Sequence, residues 1–173
     1  MNRIFWTFLF LLFSNILFSQ TTFSSSKYPY TLIIPDGWRA KDKIYLPETD
    51  AKIVDDKGNS FIISVKSLPS EFNGKSAVKL LTSLPDDAIK ASLSPGNFES
   101  LIIYTRQPTN INGREYYYVS ASAPFEGSLR LNHKIFYLNY KSKMYTIDCS
   151  SISSMTNEAS IYFDLMLQTL KFK

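Results

Sequence analysis

The chain has 173 residues, 45 % of them hydrophobic and 15 % aromatic, and 19 Lys and Arg against 15 Asp and Glu give a net charge of +4. That length suits one domain with its own core, and basic residues spread this thinly, with no recognisable module, argue against nucleic acid as a partner. A single Cys and a single His exclude a disulfide framework and the His/Cys sets that zinc prefers.

Met1, Asn2 and Arg3 precede an apolar run from Ile4 to Phe13, a polar break at Ser14 and Asn15, and a second apolar piece from Ile16 to Phe18. A charged start, an apolar stretch of about ten residues and a small residue at the exit make a secretory signal. Residues 1–19 are therefore expected to be a signal peptide, cut after Ser19. A membrane anchor would need about 20 uninterrupted apolar residues. Cleavage would leave 154 residues (173 minus 19) with a net charge of +3 and no transmembrane segment, in the periplasm or outside the cell. Residues 20–27, rich in Ser and Thr, are expected to form a flexible lead-in, and 28–173 a single domain.

From Tyr28 to Ile34 the residues are aromatic and β-branched, and Pro35-Asp36-Gly37 stops the strand. Trp38 follows, where its ring would close one end of the core. A short piece from Lys43 to Leu46 ends at Pro47. The pair Ala51–Val54 and Ser60–Leu68 flanks Asp55-Asp56-Lys57-Gly58-Asn59, a hairpin turn rather than a calcium loop, since the alternating acidic spacing and distal Glu are missing.

The period changes over Ser76 to Leu93, where Ala77, Leu80, Leu81, Leu84, Ala88, Ile89 and Leu93 recur at three and four. This predicts a helical region broken or kinked at Pro85, with Asp86 and Asp87 complementing the dipole of a fresh first turn. Adjacent side chains diverge by about 100° on a helix, so the two carboxylates do not read as an acid–base pair.

Phe98–Thr109 and Arg114–Ala123 are predicted strands joined at Asn112-Gly113, with Gln107 opposite Tyr118 and with Pro108 placing the first at an edge or bulge. Leu129–Tyr140 and Lys143–Ile152 pair around Lys141-Ser142, and the alternation of Tyr145, Ile147 and Cys149 gives the latter strand one apolar face. The last element is a helix from about Thr156 to Leu170, capped by Thr156, with Phe172 tucked back against the sheet.

This order predicts an α+β protein. Taken with Tyr30-Thr31-Leu32-Ile33-Ile34-Pro35-Asp36-Gly37-Trp38, Ile111-Asn112-Gly113-Arg114, Tyr137 to Ile147 and the closing Leu167-Gln168-Thr169-Leu170-Lys171-Phe172, it resembles the PsbP-like fold family. The resemblance spans nearly all of the predicted mature chain. It implies an α/β/α sandwich built on a mainly antiparallel sheet, with a central helix region and a C-terminal helix. It also implies an accessory or binding role, as most members are so described. The leader is not a chloroplast transit peptide, so neither the photosynthetic nor the nuclear role of family members carries over.

A nucleophilic enzyme needs a nucleophile, a base and a group that orients the base. A two-residue turn at Lys141-Ser142 sets Cys149 against Lys134 and sends His133 to the other face, whereas a one-residue slip would set His133 against Cys149. Even then, burial would keep the thiol inert. Phosphate-loop and Gly-x-Ser-x-Gly patterns are absent. No catalytic residue, cofactor or metal is therefore expected.

The abundant aromatics suggest a binding surface, with Trp38, Tyr117, Tyr137 and Tyr140 as candidates, set against their use in cross-strand packing. The leading expectation is an exported, non-catalytic accessory or binding domain of the bacterial cell envelope that meets a protein partner. A carrier of a small apolar or lipid-like ligand and an unrecognised hydrolase are the alternatives. An apolar pocket would favour the carrier, and an exposed aromatic patch the partner surface.

Overall fold

The computed structural model describes residues 20–42, 48–93 and 100–173; the predicted signal peptide, the piece from Lys43 to Pro47, and Phe98 lie outside these. Alternating apolar and polar residues become ten strands: β1 (Thr21–Ser24), β2 (Tyr30–Ile34), β3 (Arg39–Ala40), β4 (Thr49–Val54), β5 (Ser60–Ser67), β6 (Ile102–Ile111), β7 (Arg114–Pro124), β8 (Arg130–Tyr140), β9 (Lys143–Ile152) and β10 (Lys171–Phe172). Three α-helices complete the described residues: α1 (Ala77–Leu81), α2 (Asp86–Leu93) and α3 (Thr156–Thr169). A seven-stranded antiparallel sheet has the order β3-β4-β5-β9-β8-β7-β6, and a small sheet has the order β1-β2-β10.

The large sheet is apolar on both faces because it lies between two layers, which is the predicted sandwich. On one face Ile53, Phe61, Ile63, Phe136, Tyr145 and Ile147 pack under α3 and the small sheet, with Ala159, Phe163, Met166 and Leu167 supplied by the helix. On the other, Tyr117, Val119, Ala121, Ile135 and Tyr137 pack under Ala77, Leu81 and Ile89 of α1 and α2. Period-two alternation therefore sorts Tyr116 and Tyr117, neighbours in sequence, into different cores.

The turns pair the strands as their residues demand. Asn112 (φ 53°) and Gly113 (φ 75°) make the two-residue connection, which sets Gln107 opposite Tyr118. Lys141 and Ser142 also take positive φ, and Lys134 lies opposite Cys149. Asp55 holds the β4–β5 turn: its carboxylate accepts from the backbone N–H of Lys57 (3.0 Å) and Asn59 (2.9 Å) and from the Asn59 amide (2.6 Å). Those bonds use the carboxylate within its own turn. Ser76 caps α1 by accepting from the Lys79 N–H, and the helical stripe breaks before Pro85, after which α2 begins with Asp86 and Asp87.

Two expectations are corrected. Residues 20–27 are not a flexible lead-in: Thr21–Ser24 is β1, paired with β2 from Thr21–Ile34 to Ser24–Thr31. Two β-branched residues suit the strand, and Phe23 packs against the core with its ring 6.1 Å from that of Tyr30. Thr156 does not cap α3. A 3₁₀ turn over Ser153–Met155 carries the chain in, so Thr156 is already helical and Met155 stands at the cap position without a side-chain bond. The expectation of an edge or a bulge near Pro108 is met by the edge: β6 is the outermost strand of the large sheet, and its bulge lies elsewhere, between Ile103 and Thr105.

Candidate binding surface

The four aromatics singled out in the sequence do not form one surface. Trp38 is buried beneath α3, with its ring 5.6 Å from that of Phe163 and 5.9 Å from that of Tyr162. Tyr117 and Tyr137 face each other across β7 and β8 and are buried under α1 and α2. Burial pushes the Tyr137 phenol up to about 12. Only Tyr140 reaches the exterior, half-buried, where its hydroxyl donates to the Lys173 carbonyl (2.5 Å) and its face meets the Arg114 guanidinium. Three of the four thus serve cross-strand and cross-layer packing, and a surface made from the set is corrected accordingly.

His133 and Cys149 lie on opposite faces of the sheet. His133 Nδ1 is 3.0 Å from Asp148 on the face of α1 and α2, a diagonal pair between β8 and β9. Burial works against the charged imidazolium, but the Asp148 hydrogen bond and charge outweigh it and raise the His133 pKa above the ordinary value. Cys149 is sealed on the α3 face, where burial, reinforced by the charge of Asp148, pushes its thiol well up. No thiolate–imidazole pair forms between them. Tyr30, whose hydroxyl donates to Asp50 (2.6 Å), is pushed up by burial and then by that bond, a structural anchor of the small sheet. Among the described residues no cluster of three metal-ligating side chains occurs, and no helix is long and apolar enough to cross a membrane.

What the sequence reading missed lies at the end of the sheet where β6 begins and β7 meets β8. Ile102, Tyr104, Phe125 and Leu129 are each between 43 % and 59 % exposed there. The β6 bulge causes part of this. Ile102 and Thr105 pair with Ser122 and Ser120 on the α3 face, and the extra residue Tyr104 turns the same way, its hydroxyl 2.8 Å from Ser122 Oγ. Arg130 braces this corner by donating to Ser122 Oγ (2.9 Å), the Ser122 carbonyl (2.9 Å) and the Ser100 carbonyl (3.2 Å). Beside it runs the outer edge of β6, on which no strand pairs among the described residues. A bulged edge strand next to exposed apolar side chains was signalled only by Pro108 and by the Phe125 loop.

The α/β/α sandwich on a mainly antiparallel sheet that this chain forms is the PsbP-like fold. No family model and no curated protein matches the chain. Among solved structures it is similar to cyanobacterial PsbP from Synechocystis sp., with a TM-score of 0.65 and 16 % identity over 91 % of this chain and 94 % of that one. It is also similar to LpqN of Mycobacterium tuberculosis, described as involved in cell envelope biogenesis, with a TM-score of 0.55 and 11 % identity over 90 % and 92 % of the two chains. The Ran-binding protein Mog1p of Saccharomyces cerevisiae follows with a TM-score of 0.52 and 7 % identity over 90 % and 96 %. Identities this low carry the fold and nothing finer.

Proposed function

We propose that this protein is an exported, non-catalytic accessory domain of the bacterial cell envelope that binds another protein through the outer edge of β6 and the apolar corner beside it. The observation that carries this reading is the conjunction at that corner: a ten-residue edge strand whose outer side pairs with no strand among the described residues, and Ile102, Tyr104, Phe125 and Leu129 exposed next to it. Backbone groups of an edge strand recruit an extended segment, and exposed aromatic and aliphatic side chains supply the buried contacts that fix it. Pro108 interrupts the row of donors and so limits indiscriminate edge-to-edge pairing. The solved neighbours that are named as Ran-binding or as involved in envelope biogenesis agree with a binding role, and the apolar leader agrees with export.

Affinity purification of the tagged protein from its own envelope tests the reading. The expected result is one protein recovered in stoichiometric amount with the wild type, lost with Tyr104→Asp or Phe125→Asp, and retained with Ile161→Asp on the far side of α3. No stoichiometric partner, or equal recovery with all three variants, would refute it. N-terminal sequencing of the exported chain is expected to begin at Gln20.

A further inference from the structure

Beneath α1 the sheet is not fully covered. The turn from Leu68 to Phe72, the outer side of α1 and the end of β9 enclose an open groove of about 550 Å³, within the range of small-molecule sites. Leu68, Phe72, Leu80, Leu81 and Leu84 form its walls, with Met144 of β9 also lining it. Leu84 remains exposed although it belongs to the apolar stripe of the helical region. None of these residues belongs to the β6 corner.

We propose that this groove holds a single acyl chain bearing an anionic head group. Two observations select that chemistry over a peptide. First, the hydroxyls of the groove are already engaged: Ser67 Oγ accepts from the Lys143 ammonium (2.9 Å) and Ser83 Oγ donates to the Leu80 carbonyl (3.4 Å). A peptide would bring amides that the lining leaves without partners, at a cost that a hydrocarbon chain does not incur. Flexible Met144 and the leucines fit such a chain without demanding a fixed shape.

Second, the charge at the rim has one sign. Lys66, Lys75 and Lys79 border the groove, and among the described residues no carboxylate lines it. Lys66 is paired with Glu48 (3.0 Å) and Lys75 lies 5.2 Å from the centre of the Phe72 ring. Among the described residues neither Lys75 nor Lys79 forms an ion pair with a carboxylate. A carboxylate or phosphate at the mouth would meet these two ammonium groups while the chain lies along the leucines.

The test is titration of the purified protein with cis-parinarate, followed by its fluorescence. Saturable binding near one per chain is expected. Oleate or oleoyl-lysophosphatidylglycerol should displace it, and whichever competes better identifies the source of the head group as a free acid or a phospholipid. Oleyl alcohol should compete at least tenfold less well. Leu84→Glu and the double variant Lys75→Gln/Lys79→Gln should each weaken binding at least tenfold, and Ile161→Glu should leave it unchanged. Because all these positions except Leu84 are plainly at the surface and Leu84 is partly so, circular dichroism is expected to match the wild type throughout. Non-saturable binding, wild-type affinity in the double variant, or equal competition by the alcohol would overturn the proposal.

Discussion

Replacing Phe163 with Ala tests whether α3 is what closes the larger core. The ring is 2 % exposed and meets Trp38 edge-on at 5.6 Å, so the deletion removes a full aromatic side chain and leaves a cavity beside Trp38 within the larger core. Truncations of buried Phe cost about 3–5 kcal/mol. With a urea dependence of roughly 2 kcal/mol per molar, the unfolding midpoint should fall by about 1.5–2.5 M. The thermal midpoint should fall by roughly 10–15 °C for a domain of this size. Ile161→Ala is the control on the same helix, at a side chain 71 % exposed, and should change stability by no more than about 0.5 kcal/mol. Both values come from equilibrium urea unfolding followed by circular dichroism. A loss of under about 1 kcal/mol at Phe163, or equal losses at the two positions, would mean that α3 does not seal the core as described.

The His133–Asp148 pair should make stability depend on pH. Its folded pKa is raised, so its contribution is complete below the unfolded value of about 6.5 and is lost as pH rises through the higher folded value. The difference in urea midpoint between wild type and His133→Gln should shrink across that window, and a difference that grows with pH would contradict the pairing. Cys149 should resist a thiol reagent in the native protein and react at once in denaturant; fast native labelling would place it outside the core. Gly113→Val should cost roughly 1–2 kcal/mol in thermal unfolding, because φ at this position is 75° and a β-branched residue is strained there. An unchanged midpoint would argue against the Asn112-Gly113 turn.

Much of this architecture is local and therefore legible in the chain. Alternation within Lys143–Ile152 dictates that Cys149 shares a face with Tyr145 and Ile147, and a two-residue turn at Lys141-Ser142 then separates it from His133, because a strand has only two faces. Asn112-Gly113 sets its hairpin, and Pro85 divides the helical region, for equally short-range reasons. Other features depend on partners distant in sequence. Thr21–Ser24 is a strand only because the edge of β2 accepts it, and Tyr117 and Tyr137 are buried only because α1 and α2 arrive over them. The exposed corner at Tyr104 needs the bulge against β7, and the groove at Leu84 needs a helix layer that leaves the start of β9 uncovered at Met144. Composition and period state which side chains prefer to leave water, but not which neighbour covers them. Burial is settled by contacts between distant segments, and so only the assembled layers decide which apolar residues remain outside to meet something else.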